Sequence, residues 1–428
     1  MQNVKGTYDF FGKEQALRKR IQNVLEEVFE LYDFNGMEST VLNELELLTS
    51  KYAGGDEILK EMYQLTDQGS RRLGLRYDLT IPFAKVLALN PGISLPFKRY
   101  EIGKVYRDGP VKKGRLREFL QCDVDIAGIA GAEAEAELLQ AAVEVFKRLD
   151  IPIIVEWNNR EFMGDILESL GVPPKEKISV MLTLDKVKKV GCDGVMKELD
   201  SKGIHPSVTA KLAKFMNAEN MPINDLVQAY GLENRKGTLE VCALQELIDS
   251  LGMERISKFN PFLSRGLSFY TGTVYEILDA TGSFTSSLGG GGRYDSIIGK
   301  LITREDIPYP VVGLSFGMES IMEIMKSSKI NSLSLPQPKV VVIPIGEEAI
   351  SEALKLTATL RGNGIRTRID LSKRKLKKSL SAASANEIPF VILIGNDEAR
   401  GGKVRLKDMK NITEHSVTLE EATQLILR

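Results

Sequence analysis

Apolar residues at Leu17, Ile21, Val24, Leu25, Val28 and Leu31 recur at helical intervals, which predicts a helix after Gly12 with one buried face and a stop near Gly36. From Leu73 to Asp125 the rhythm changes. Runs of strand composition, LGLRYDLT, SLPFKRYEIGKVYRD and REFLQCDVDIAG, follow one another between Gly and Pro with no helical period between them. This predicts an antiparallel sheet built from hairpins. The Ala- and Glu-rich stretch from Ala132 to Leu149 predicts a long helix. Residues from about 172 to 259 are Lys-rich and helical in character and separate two strand-like segments, so a helical insertion is expected there. Strand character returns in SRGLSFYTGTVYEI, continues through SLGGGGRYDSIIG, and ends in VVGLSF, which runs into a helix from Met318.

Beyond this the composition shifts. Residues 326–338 are rich in Ser, Lys and Pro and read as a linker. KVVVIPIG, a helix near Glu347, GIRTRID, a basic helix and PFVILIG then alternate as β and α elements. That order predicts a separate small α/β domain at 339–428 with a largely parallel sheet.

At 428 residues the chain exceeds one typical core, so several domains are expected, with 1–325 as the larger. A formal net charge of −1 excludes a globally basic nucleic-acid coat and leaves only local basic patches. Three scattered cysteines, Cys122, Cys192 and Cys242, and two histidines, His205 and His415, argue against a disulfide framework, a protein-held metal and a serine–histidine triad. No apolar run approaches the ~20 residues of a membrane span. MQNVKGTYDF lacks a signal peptide's apolar stretch. A cytoplasmic chain without a membrane partner is expected.

Four constellations carry candidate chemistry. Arg107 and Asp108 precede the loop GPVKKGRL, and Arg117, Glu118 and Phe119 follow it; cations on a mobile hairpin suit a polyphosphate, although a solvated basic turn has the same composition. Arg265, in SRGLSFYTG, reads as a strand residue facing either a charged ligand or solvent. Four consecutive glycines in LGGGGRYD mark close approach of a ligand or backbone, or a flexible loop. No P-loop or dinucleotide fingerprint is present. Asp78 and Thr80 lie two apart on one expected strand face, as do the members of QCDVD, where Gln121 and Asp125 stand out; such groups suit an ammonium and an imidazole.

Together KGTYD, LRYDLTIPFA, KRYEIGKVYRD with GRLREFLQCDVDIAG, RGLSFYTGTVYE and LGGGGRYD closely resemble the signatures of histidyl-tRNA synthetases, in that family's order. The tail, with IPIGEEA, LRGNGIRTRID and IPFVILIGNDEARGG, resembles the anticodon-binding domain of class IIa synthetases. The resemblance implies an α+β fold: a class II catalytic domain with an antiparallel sheet flanked by helices, a helical insertion, and a C-terminal α/β anticodon-binding domain. It implies ATP and Mg²⁺, histidine and tRNA-His as partners, and a homodimer. Asp78, Thr80 and Gln121 would hold the substrate ammonium, and Asp125 and Tyr270 the imidazole, with Phe269 beside them. Arg107 would bind the α-phosphate and carboxylate, Arg115 would join the ATP site, and Phe119 would stack on adenine. Arg265 would face the α-phosphate as the carboxylate displaces pyrophosphate, and both Arg265 and Arg107 would also count among the histidine-binding residues. Arg366, Arg368, Lys373, Arg374, Lys375, Lys377 and Lys378 would meet the RNA backbone, or simply form a solvated face.

The chain departs from the family pattern at several positions. In MESTVLNELELL, Val41 replaces the usual proline of the dimer-forming motif. Ser268 and Phe269 replace aspartate and tyrosine, and Ser320 in VVGLSFGMESIM replaces an arginine that covers ATP. A catalytically silent regulator, such as the regulatory subunit of ATP phosphoribosyltransferase, or an amino-acid or RNA sensor is therefore the alternative to a ligase. Against the regulator, the tail and the Arg265 segment are both kept.

Overall fold

The computed structural model describes residues 1–49, 60–111, 114–218, 220–266, 269–301, 309–329 and 337–427. Lys112, Lys113, Ser268 and most of the linker segment lie outside the described residues. The chain divides into two units, Met1–Asn331 and Ser332–Arg428.

In the first unit the strands are β1 (Asn35–Gly36), β2 (Leu42–Glu44), β3 (Gln64–Thr66), β4 (Arg72–Leu75), β5 (Phe97–Tyr106), β6 (Glu118–Ala127), β7 (Ile153–Asn159), β8 (Ser257–Phe259), β9 (Thr273–Asp279), β10 (Gly289–Arg293) and β11 (Val311–Gly317). Eight of them form one sheet in the order β1-β5-β6-β11-β10-β9-β7-β8. Its interior pairings are antiparallel, and only the two edges, β1 on β5 and β8 on β7, are parallel. The expected hairpin is present as β5 and β6, whereas β4, from LGLRYDLT, joins β2 and β3 in a separate three-stranded sheet.

One face of this sheet is the core. The helix Gly12–Leu31 buries Leu17, Ile21, Leu25 and Val28 completely, as its sequence period predicts, and Phe29 with them, while Val24 is half-buried and Leu31, in the last turn, is exposed. Burial of each such side chain stabilises by roughly 1.5–3 kcal/mol. On β11, Phe316 lies 5.5 Å from the Phe29 ring and 5.9 Å from Phe146 of the helix Glu133–Leu149. Cys122, Val124 and Ile126 of β6 point into the same core. The alternate residues of β6 are thereby turned to the opposite face.

Two local readings are corrected. Asp78 and Thr80 do not share a strand: β4 ends at Leu75 and a helix spans Thr80–Leu89. Pro82 is tolerated in the first turn of that helix, and the Asp78 carboxylate accepts the Ile81 amide at 3.1 Å, so the segment closes as a helix start. Nor is Arg265 in a strand, because β9 begins only at Thr273.

The region from about 172 to 259 is helical, with Lys177–Leu184, Val187–Ser201, Pro206–Phe215, Ile223–Tyr230 and Lys236–Ser250. It leaves the main sheet after β7 and rejoins it at β8, with Val155 opposite Ser257. His205 caps the helix Pro206–Phe215 at the surface.

The second unit contains β12 (Val340–Pro344), β13 (Thr367–Ile369), β14 (Phe390–Ile394), β15 (Val404–Asp408) and β16 (Thr413–Val417), ordered β13-β12-β14-β15-β16. The first three are parallel, but β15 and β16 form an antiparallel hairpin. The sheet is mixed rather than largely parallel. Val340, Val342, Ile392, Leu406 and Ile426 build its core.

Candidate active site

A cleft of about 310 Å³ opens on the polar face of the main sheet. Phe119, Gln121, Asp123 and Asp125 line it, every second residue of β6. Asp78 and Thr80 reach it from the start of their helix, and Phe269, Tyr270 and Tyr294 close one end.

Beneath these groups is a buried ionic network. Arg99 of β5, fully buried, stands opposite Asp125 and reaches its carboxylate at 2.7 Å. It also lies 3.7 Å from Glu101, which pairs with Arg76 at 2.8 Å and accepts a hydrogen bond from the Ser39 hydroxyl at 2.8 Å. The Tyr294 hydroxyl donates to Asp125 at 2.5 Å. Asp123 stands opposite Glu101, with Gln121 donating to it at 3.2 Å. Burial pushes the Asp123 carboxyl up to about 8, opposed by Arg99 and reinforced by Asp125. Burial also raises Asp78 to about 6, against the Ile81 amide and Arg107. Among the described residues the buried oxygens Gln121 Oε1 and Asp123 Oδ1 have no hydrogen-bond partner. Acceptors left open in a buried wall suit a ligand that brings donors.

Two arginines line the same cleft. Arg107 follows β5, donates to the Tyr77 carbonyl at 2.9 Å, and lies over the Phe119 ring at 5.2 Å. Arg265 lines it from a loop, with its backbone in the left-handed region at φ 58° and its guanidinium 3.7 Å from Glu276. Among the described residues lining the cleft, these two are the cations, against Asp78, Asp123, Asp125 and Glu319. Carboxylates and guanidiniums in one cleft suit a ligand with cationic and anionic parts.

Glycines make the room. A Cβ at Gly313 would strike the Asp125 carboxylate, and one at Gly290 would strike the Arg265 guanidinium. The glycine run is thus strand β10: the Arg265 guanidinium lies over Gly290, and at Gly289, Gly291 and Gly292 a Cβ would meet a carbonyl oxygen of a neighbouring strand.

Ser320 lines the cleft at the start of the helix Met318–Lys329, and its hydroxyl lies 3.7 Å from where a Cβ on Gly114 would sit. Its neighbour Glu319 is held by two hydrogen bonds from Arg18, at 2.8 and 3.0 Å. Arg115 is not in the cleft wall; it pairs with Glu61 at 2.7 Å. In the second unit Arg366, Arg368, Lys373, Arg374, Lys375, Lys377 and Lys378 are all exposed, and Arg374, Lys377 and Lys378 border a shallow depression with Ser381. Lys373 pairs with Glu347 at 2.7 Å.

Sequence reasoning missed Asp123, although the alternation that selected Gln121 and Asp125 passes through it. It also missed Arg99, Tyr294 and Glu319, whose places depend on strand register and helix packing.

Comparison with known proteins gives a consistent result. The family profile described as "Histidyl-tRNA synthetase" matches residues 10–321, and that described as "Anticodon binding domain" matches residues 339–428. The chain is 44% identical to "Histidine--tRNA ligase 1" of Bacillus cereus, covering 100% of both. It is 43% identical to "Histidine--tRNA ligase 2" of Shouchella clausii, over 97% of this chain and 98% of that one. The crystal structure of histidyl-tRNA synthetase from Nostoc sp. PCC 7120 superposes with a TM-score of 0.80 at 26% identity, covering 100% and 99% of the two chains. A structure from Bacillus halodurans C, described as an ATP phosphoribosyltransferase regulatory subunit/histidyl-tRNA synthetase, shares the fold with a TM-score of 0.74 at 21% identity, covering 92% and 98%.

Proposed function

The chain belongs to the histidyl-tRNA synthetase family, and on that premise we propose how its cleft works. The protein is a histidine–tRNA ligase: it activates histidine with ATP and transfers the histidyl group to tRNA. The regulatory reading is not favoured, because full-length relatives at 44% identity are ligases.

Histidine lies against the acidic groups. Asp78, Thr80 and Gln121 hold its ammonium, while Asp125 and Tyr270 take the imidazole and Phe269 packs behind. ATP lies against the cations, with adenine on Phe119 and the α-phosphate between Arg107 and Arg265. The carboxylate oxygen attacks the α-phosphorus, the bond to the bridging oxygen breaks, and pyrophosphate leaves. A terminal ribose hydroxyl of tRNA then attacks the acyl carbon and AMP leaves. A carboxylate is already a nucleophile, so the protein's part in the first step is positioning and charge stabilisation. Arg115, on the loop beside Ser320, is assigned to the outer phosphates after leaving Glu61. Mg²⁺ is assigned as the companion of ATP, carried on its phosphates.

The remaining assignments follow the same kinship. Residues 1–325 are the catalytic domain, about 172–259 its insertion, 326–338 the linker, and 339–428 the anticodon-binding domain. The basic surface from Arg366 to Lys378 meets tRNA. A homodimer through the segment around Val41 and a cytoplasmic location complete the reading; among the described residues no helix is long and apolar enough to cross a membrane.

The observation that carries this reading is one cleft lined by both carboxylates and guanidiniums. Histidine-dependent exchange of pyrophosphate into ATP tests it. Exchange is expected with histidine alone among the amino acids. A folded protein that binds histidine without exchange would instead be a sensor.

A further inference from the structure

Arg265 reaches the cleft from a loop, and the loop is held by two charged residues outside the cleft. On one side Arg160, the first residue of the helix Arg160–Ser169, donates to the carbonyls of Ser264 at 2.9 and 3.1 Å, of Arg265 at 2.8 Å and of Tyr270 at 3.2 Å. On the other side the Asp185 carboxylate accepts the Ser264 amide at 2.7 Å and the Arg265 amide at 3.4 Å. Both sides of the peptide entering Arg265 are therefore gripped by full charges, whose hydrogen bonds are stronger than neutral ones.

The grip has a local reason. Left-handed backbone is unfavourable for a residue with a Cβ and persists only where the surroundings over-determine it. The Arg265 guanidinium then lies over Gly290, where even a methyl group would collide with it. Little lateral freedom exists there, so the backbone at 264–265 sets where the guanidinium sits.

Asp185 caps the end of the helix Lys177–Leu184, inside the helical insertion. The insertion is tied to the sheet nearby through the Lys188–Glu156 ion pair at 2.5 Å and through Asn159, which donates to Glu240 at 2.7 Å. We infer that Asp185 and Arg160 are positioning residues for Arg265, so that the insertion, through one carboxylate, sets the placement of the cation at the reacting phosphate. This rests on the assignment of Arg265 above.

The test is pyrophosphate exchange by the full chain carrying Asp185→Ala, Asp185→Asn or Arg265→Ala, and by the Asp185→Ala/Arg265→Ala double variant. Asp185→Ala is expected to lower kcat about tenfold or more while the KM for histidine moves less than about twofold. Asp185→Asn, which retains an acceptor oxygen for both amides, restores most of the rate. In the Arg265→Ala background the same change costs less than about twofold, because the group it positions is gone. Full kcat in Asp185→Ala, or an equal loss with and without Arg265, overturns the inference. Normal exchange by Arg265→Ala overturns the role of Arg265 itself, a distinguishable result. Should Asp185→Ala fail to fold, Arg160→Lys is compared with and without Arg265 instead: because Arg160 also holds Tyr270, its effect on the KM for histidine is set aside, a kcat loss that shrinks in the Arg265→Ala background supports the inference, and an equal kcat loss in both overturns it.

Discussion

The two kinds of charge that line the cleft are built in different ways. On the acidic side the functional groups ride on a strand: Gln121, Asp123 and Asp125 follow one another at the pleat period, Arg99 and Tyr294 hold Asp125 through side-chain contacts, and Arg76 holds Glu101 beneath them. On the cationic side Arg265 rides on a loop in strained backbone, fixed through its own peptide groups by residues 105 and 80 positions earlier in the chain. A site on a sheet inherits its precision from hydrogen-bond register; a site on a loop must import it. The first should fail by losing stability and substrate binding together, the second by losing rate alone.

The sharpest way to break this contrast is Arg265→Ala. It is expected to lower kcat for exchange roughly 100- to 1,000-fold, as removal of a stabilising donor at developing charge does elsewhere, with histidine affinity and thermal midpoint little changed. Calorimetric binding alongside exchange kinetics checks it; a large loss of histidine affinity would merge the two sides into one.

Asp125→Ala should do the reverse. It leaves Arg99 buried without its closest carboxylate, at a cost of about 3–5 kcal/mol. A lower unfolding midpoint in denaturant together with a raised KM for histidine is expected, and unchanged stability would refute the network's structural role.

The two glycines separate the sides with matched chemistry. Gly313→Ala intrudes on Asp125 and should raise the KM for histidine, whereas Gly290→Ala intrudes on Arg265 and should lower kcat, each by about tenfold. Steady-state exchange kinetics compare them directly, and the same parameter changing in both would remove the distinction.

How much of this was legible follows the same line. The alternation in REFLQCDVDIAG displays the acidic wall, and the helical period of residues 17–31 displays the core behind it. The cationic side was legible as residue types but not as geometry. Nothing local in SRGLSFYTG announces a left-handed arginine, because Arg160 and Asp185 stabilise it from far away in sequence. Asp78 and Thr80 misread as a strand because RYDLT has strand composition, while the Asp78 bond to the Ile81 amide turns the chain into a helix. In the second unit β15 and β16 carry VRLKD and TEHSV, whose polar residues hide the hairpin.

Two smaller effects complete the comparison. Between the ordinary carboxylate value and about 8, the folded chain keeps a proton on Asp123 that the unfolded chain has released. The contribution of this group is therefore greatest at the acid end and declines as pH rises toward 8. Asp123→Asn should flatten that decline in the melting temperature measured across the interval; an identical profile would mean that Asp123 is ionised when folded. Outside the cleft, Arg374→Ala with Lys377→Ala should raise the KM for tRNA by about threefold to tenfold, less at high salt where the phosphate contacts are already screened, and leave exchange unchanged. A change in exchange would show that this surface does more than hold RNA.

The neck formed by β7 and β8 has a consequence for how such a chain can vary. Because Val155 and Ser257 lie opposite each other, the whole helical excursion is a loop whose ends are already joined. In a flexible loop each doubling of length costs only about 0.6 kcal/mol in closure entropy. The lengths of the turns between its helices can drift at little thermodynamic expense, while the helices keep their buried faces. What cannot drift are the few contacts that reach back to the sheet and its loop, Asp185 to Ser264 among them, so selection on this region should act on those points rather than on its sequence as a whole.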